Sequence, residues 1–207
     1  MKKTKNLTVY FASSNKHKLK EIKSILKSAF SGQHSAISKI GLHKVILKSA
    51  PEGFTINENG KTFSENAHKK ASALSKKLKI IAFADDSGIE VNALGGKPGI
   101  RSARFFRGGK GIQEILKKLK NKKNRKCCFT CAIVCTDEKG KIIFKTKKSW
   151  HGTVAFEPKG KNGFGYDPIF MVPKIKKTSA QVSSKVKNEL SHRAMAVREM
   201  GKWLSSL

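Results

Sequence analysis

Acid is scarce in this chain. Of 207 residues, 14 are Asp or Glu against 44 Lys or Arg, which leaves a formal net charge of +30. Such an excess makes a nucleic acid or another phosphate-bearing anion a partner to consider. Arginine is scarce as well: only Arg101, Arg104, Arg107, Arg125, Arg193 and Arg198 carry the forked guanidinium that phosphate and base readers favour. Dispersed lysine is therefore read as a solvated surface, and no specific nucleic-acid partner is expected. The densest basic run, Lys117 to Lys126, contains no aromatic residue on which a base would stack, and is read as a solvated loop. Long apolar runs are missing too. None approaches the ~20 residues that span a bilayer, and the first, Leu7 to Ala12, is too short for a signal-peptide core. A cytoplasmic protein with no membrane partner is expected. At 38% hydrophobic residues the chain still has enough apolar material for one globular domain, which buries roughly 70% of its unfolded surface at this length.

The four cysteines, Cys127, Cys128, Cys131 and Cys135, crowd into one apolar, strand-forming segment, CCFTCAIVC. On a strand, Cys127, Cys131 and Cys135 share a face with neighbours about 13 Å apart, at ~3.3 Å per residue. Tetrahedral zinc needs its ligands within about 2.3 Å of one point, and a disulfide is equally out of reach within the strand. Buried structural thiols are the expectation.

Along the chain, LTVYFA (7–12) reads as a strand, followed by SSN and an amphipathic helix with Leu19, Ile22, Ile25, Leu26 and Ala29 on one face. Val45–Leu47 reads as a short strand. From Thr62, the positions of Phe63, Ala67, Ala71, Leu74 and Leu78 predict a second helix. KIIAFA (79–84) reads as a buried strand that ends at DDSG, and the Gly- and Pro-rich passage after it is too irregular for one long element. A short helix is expected over 112–119, and a hairpin of strands 127–136 and 141–147 around TDEKG. A third antiparallel strand over 150–156, the short apolar run IFMVP and a C-terminal helix carrying Met195, Val197, Met200 and Leu204 complete one α/β domain, 1–207, with a mixed sheet.

Four stretches carry chemistry. With acid so scarce, the adjacent Asp85 and Asp86 at a strand end offer a magnesium ligand or general base, or else a turn or cap aspartate. SSNKHK (Ser13, Ser14, Asn15, Lys16, His17, Lys18) lies at a strand-to-helix junction, where free backbone N–H groups, hydroxyls and lysine make an anion cradle; simple capping explains much of it. In NGFGYDP, two glycines flank Phe164 and let its ring stand clear for stacking on a base, or turn it into the core. KNELSHR places Lys187, Ser191, His192 and Arg193 around a helix start.

In this order the stretches resemble the inosine triphosphate pyrophosphatase family, the Ham1-like dITP/XTP pyrophosphatases, nearly end to end from Val9 to about Val197. The resemblance rests on SSNKHK followed by Glu21, TFSENA, FADDSGIEVNALGGKPGIRSARF, SWHGTV, GFGYDPIF and SHR. It implies an elongated mixed sheet flanked by helices, two lobes with a central active-site cleft, and a homodimer. It also implies hydrolysis of ITP, dITP or XTP to the monophosphate and pyrophosphate with magnesium. Carried over by position, Ser13, Asn15 and Lys18 hold the triphosphate within the stretch 13–18. Asp86 accepts the proton and binds metal, with Glu58 nearby as a second metal carboxylate, and Ser87 contacts substrate. Phe164, Gly165, Tyr166 and Asp167 line the base site, while Lys187, His192 and Arg193 contact the nucleotide. Arg101 and Gln181 depart from the family pattern. Two other readings compete: a Maf-like pyrophosphatase of modified nucleotides, which the order of DDSG and SHR disfavours, and a lysine-rich nucleic-acid-binding protein.

Overall fold

The computed structural model describes residues 7–31 and 45–207. Strand β1 (Leu7–Phe11) buries Val9 and Phe11 and leads through residues 12–15 into helix α1 (Lys16–Ser31). Ile22, Ile25 and Leu26 form the buried face of α1, as their spacing predicts; the side chain of Ala29 lies outside the described residues. Strand β2 (Val45–Ser49) pairs parallel with β1. Helix α2 (Phe63–Leu78) begins where the Thr62 hydroxyl accepts the Glu65 N–H at 3.1 Å, and it ends at Lys79, whose φ of 54° breaks the helical path. Its apolar stripe, Phe63, Ala67, Ala71 and Leu74, is buried, and Ala71 and Leu74 pack with Ala12, Ala82 and Ala84.

Strand β3 (Ala82–Val91) pairs parallel with β1 and corrects the expectation that a strand ends at DDSG: Asp85, Asp86, Ser87 and Gly88 all lie inside it. These residues have poor strand propensity, but packing overrides it. Gly88 shows how: a Cβ there would run into Gly99 O and the Ser102 side chain, so only glycine admits that approach. Short turns lead to α3 (Ser102–Phe106) and α4 (Lys110–Lys118). Strands β4 (Lys126–Thr136) and β5 (Ile142–Val154) follow, the expected hairpin turn between them being held by Asp137, whose carboxylate accepts the N–H groups of Lys139 and Lys141. The two strands expected over 141–147 and 150–156 are one continuous strand, because no Gly, Pro or Asn interrupts KTKKSW. Strands β6 (Phe170–Val172) and β7 (Lys177–Thr178) and helices α5 (Ser184–Leu190) and α6 (His192–Leu204) complete the chain.

The sheet is mixed, with order β2-β1-β3-β4-β5-β6-β7; β5, β6 and β7 pair antiparallel. Contacts gather the chain into two compact units. The first comprises the described residues up to Asp86, Ala132–Lys147 and Ala194–Leu207; the second comprises Ser87–Cys131 and Lys148–Arg193. The cysteines are free, and Cys127, Cys131 and Cys135 are buried on β4. Burial, with Cys128 adding to it, pushes the Cys127 thiol up to about 12, which keeps it protonated and unreactive. The basic run 117–126 is exposed where expected except at Leu119, which is fully buried, and at Arg125, which is buried and donates to three backbone carbonyls. Among the described residues no helix is long and apolar enough to cross a membrane.

Candidate active site

In the first unit the site grows from the β1–α1 junction. Ser13 Oγ accepts the Asn15 N–H at 3.2 Å, and Asn15 Oδ1 accepts the Lys18 N–H at 3.1 Å, so these side chains set the entry into α1. Ser14, Lys16 and His17 are exposed. The first turn of α1 holds no acid, and its basic residues meet the positive end of the helix dipole, an arrangement that favours an external anion. Lys18 turns inward and donates to Asp85, which is fully buried, at 3.0 Å.

Helix α2 supplies what the sequence reading missed. Asn66 and Lys70, four residues apart, lie on its buried face beside Ala67 and Ala71. Asn66 Nδ2 donates to Asp86 at 3.0 Å while its Oδ1 accepts the Gly60 N–H at 2.8 Å, tying the loop that carries Glu58 to the β3 aspartate. The approach at Gly60 is close enough that a Cβ would meet Asn66 Oδ1 at 2.6 Å. Lys70 Nζ lies 2.7 Å from Glu58 and 3.7 Å from Asp86, so the two carboxylates expected at the metal site share one cation. Two polar residues interrupting an otherwise apolar helical stripe were the available signal.

The electrostatics follow from that crowding. Burial is the largest influence on Asp86 and pushes its carboxyl above the usual value; Glu58 pushes the same way, while Lys70, Lys18 and the Asn66 hydrogen bond pull it back. For Lys70, burial alone disfavours the ammonium, but Asp85, Asp86 and Glu58 outweigh it and hold the pKa above the ordinary lysine value. Glu58 and Asp86 also suit a hard divalent cation, which commonly takes one or two carboxylates and completes its shell with substrate phosphate and water. Among the described residues no group of three or more His, Cys, Asp or Glu stands ready to hold a metal on protein ligands alone.

The second unit holds the other candidates. Asp167 is buried at the end of the NGFGYDP turn and gathers three donors: Phe164 N–H at 2.7 Å, Ser179 Oγ at 2.9 Å and Lys187 Nζ at 2.5 Å. Gly163, at φ 75°, has no room for a Cβ against that carboxylate, and Gly165 turns with φ 62°. The half-buried Phe164 ring is thereby held with Lys187 Nζ 4.8 Å and Arg193 Cζ 5.5 Å from its centroid. Tyr166 takes a structural part, its ring packed edge-on against Phe106 and its hydroxyl donating to Ser102 O at 2.9 Å. Arg193, 2% exposed, donates to Ser87 Oγ at 2.8 Å. The His192 ring stacks on Phe129 at 4.9 Å, and Phe129 in turn packs against Phe170.

A mixed α/β fold carrying a lysine–carboxylate cluster and a cation-flanked aromatic has the elements of a phosphate-ester or phosphoanhydride hydrolase. Residues 9–203 match the Ham1 family, and the chain belongs to it. It is 41% identical over 201 residues to a dITP/XTP pyrophosphatase of Clostridium perfringens, covering 91% of this chain and 93% of that protein. A dITP/XTP pyrophosphatase of Staphylococcus epidermidis is 38% identical over 202 residues, 95% of each chain. Among solved structures, a Ham1 protein from Coxiella burnetii superposes with a TM-score of 0.81 at 32% identity, covering 97% of this chain and all of that one.

Proposed function

We propose that this protein hydrolyses non-canonical purine nucleoside triphosphates, ITP, dITP and XTP, to the monophosphate and pyrophosphate. The observation that carries the reading is Asp86: a buried carboxylate with a raised pKa, hydrogen-bonded to Asn66 and facing an ammonium shared with Glu58. The names of the relatives at 38–41% identity support the same substrate class.

A triphosphate brings roughly four negative charges, and its hydrolysis builds more on the leaving pyrophosphate, so preorganised cations are the main requirement. Lys18 and Lys70 supply them, each anchored by a carboxylate that fixes the ammonium without consuming all three of its N–H donors. Glu58 and Asp86 are the residues that would hold magnesium. When bound, that ion would neutralise phosphate charge and acidify water. Asp86 accepts the proton from the attacking water; its raised pKa makes the carboxylate a better base than an exposed aspartate. Asn66 keeps Asp86 in place. On the base side, Phe164 offers a ring face for stacking, and Arg193 and His192 offer donors to the 6-keto oxygen of hypoxanthine or xanthine, where adenine presents an amino group. Asp167 serves this end by fixing Phe164 and Lys187. We also infer a cytoplasmic homodimer acting on the free nucleotide pool.

The test is turnover against a panel of ITP, dITP, XTP, GTP and ATP with magnesium and with excess chelator. IMP and pyrophosphate from ITP, in the magnesium arm alone, are expected. IDP and orthophosphate, or full activity in chelator, would overturn the reading.

A further inference from the structure

The basic run Lys117 to Lys126 holds no aromatic residue of its own. The fold supplies one from elsewhere. Phe156, just beyond β5, is 83% exposed, the most exposed large apolar side chain among the described residues, and its ring lies over the Arg125 guanidinium with Cζ 4.3 Å from the centroid. Arg125 is rigid: Nε donates to Val154 O and Nη2 to Ala155 O, both at 2.7 Å, and Nη1 to Leu119 O at 3.0 Å. Each of the three guanidinium nitrogens is engaged, so its flat face serves as a fixed platform beneath the phenyl ring. One face of Phe156 is held and the other is presented to solvent. Nothing in the packing of the second unit uses that outer face.

Phe156 lines an open groove of about 1220 Å³ together with Lys123, Lys126, Lys159, Lys176 and Lys177. Among its described lining residues one is acidic, Glu157, and it is ion-paired with Lys159 at 3.0 Å. The groove is larger than the roughly 300–1,000 Å³ typical of a small-molecule pocket, and its lysines outnumber what a single phosphate group would use. A positively charged trough with a preset aromatic platform suits a chain of phosphates whose bases are free to stack. A duplex keeps its bases stacked on one another and cannot use the ring.

We propose that this groove binds single-stranded nucleic acid, one base stacking on the outer face of Phe156 and the backbone phosphates lying along the lysines. None of the groove's lining residues is among those assigned above to nucleotide hydrolysis, so binding and turnover are separately measurable.

The experiment uses fluorescence anisotropy on the full chain with an oligothymidylate of about 12 nucleotides, a duplex of the same length and inorganic polyphosphate of matched charge. The single strand is expected to bind more tightly than the duplex. Phe156→Ala should weaken the single strand about 5- to 150-fold, the range expected for one base–aromatic stack, while leaving polyphosphate affinity and ITP turnover unchanged. Lys123→Gln with Lys126→Gln should flatten the slope of log affinity against log salt by about 1.4, two phosphate contacts at ~0.7 each. Phe156→Trp should retain binding, with its fluorescence quenched by the oligothymidylate and not by polyphosphate. An unchanged affinity in Phe156→Ala, equal losses on polyphosphate, or an unquenched Trp would overturn the proposal. So would sedimentation showing Phe156→Ala dissociating a dimer, which would make this face the seat of a second copy.

Discussion

Asp86 and Asp167 are both buried aspartates near a lysine, one in each unit, and their surroundings differ. Asp167 collects a backbone N–H, a serine hydroxyl and the Lys187 ammonium, all within 2.9 Å. Asp86 accepts a hydrogen bond from Asn66 at 3.0 Å, and its ammonium neighbour Lys70 stands off at 3.7 Å, closer to Glu58. A carboxylate saturated with donors is a scaffold, because its lone pairs are committed and its charge is cancelled where it sits. A carboxylate buried with fewer donors is held at a cost to stability, the trade expected where a group must accept a proton or meet a cation.

The largest effect that would sharpen this contrast is on turnover. Asp86→Asn is expected to lower kcat for ITP by about 10²–10⁴-fold, the usual loss for a general base, in a steady-state pyrophosphate assay. A loss below about threefold would pass the role to Asp85. Asp167→Ala is expected to act on folding instead. It removes the carboxylate that pairs with the buried Lys187 ammonium and leaves the Phe164 turn without that anchor, and breaking a buried pair by removing one partner costs about 3–5 kcal/mol, readable by urea unfolding. If that variant folds as well as the parent, the scaffold reading of Asp167 fails.

Arg193→Ala probes the aromatic end. One charge-assisted hydrogen bond contributes about 1.5–3 kcal/mol, so kcat/KM for ITP should fall roughly 10- to 150-fold, with a much smaller fall for ATP, which never gains that bond. Equal losses on both substrates would assign Arg193 to phosphate or to structure.

The smallest effect concerns pH. The Asp86 pKa is raised in the folded protein, mainly by burial, so the folded state holds its proton more tightly than the unfolded chain does. Stability from this group is therefore greatest at low pH and declines as pH rises from the unfolded value near 3.8 through the raised folded one. Asp86→Asn cannot ionise, so in chelator its melting temperature should equal or exceed that of the parent at neutral pH. The difference should shrink below about pH 4. A variant that is less stable at pH 7 would mean that the pairing with Lys70 outweighs the burial.

Much of the fold is legible in the sequence, but only one side of this contrast is: the sequence marks Asp86, and it places Asp167 at the base site. The helices 16–31 and 63–78 announced themselves by apolar spacing, and DDSG stood out because acid is so rare. The family resemblance, carried over residue by residue, points to Glu58, Asp86, Phe164 and Arg193 as site residues. What escaped depended on packing. Strand β3 runs through Asp85–Gly88 because those residues are enclosed on both sides, a property no local propensity reports. Lys70 looked like one more lysine on a lysine-rich helix; only the convergence of Glu58, Asp86 and α2 separates it from its neighbour Lys69, which pairs with exposed Asn59. The anchoring parts taken by Asp167 and Tyr166 rest on contacts with Ser179, Lys187 and Ser102 from distant stretches of chain, so their spacing within NGFGYDP could suggest a base site without showing what holds it.

The central claim is that Asp86 works while Asp167 holds, and the most direct measurement reads turnover and stability on one variant. Asp86→Asn should hydrolyse ITP at no more than about a hundredth of the parental rate, while its melting temperature in chelator at pH 7 is no lower than the parent's. Hydrolysis within about threefold of the parent, or a variant that loses activity only because it no longer folds, would contradict the account.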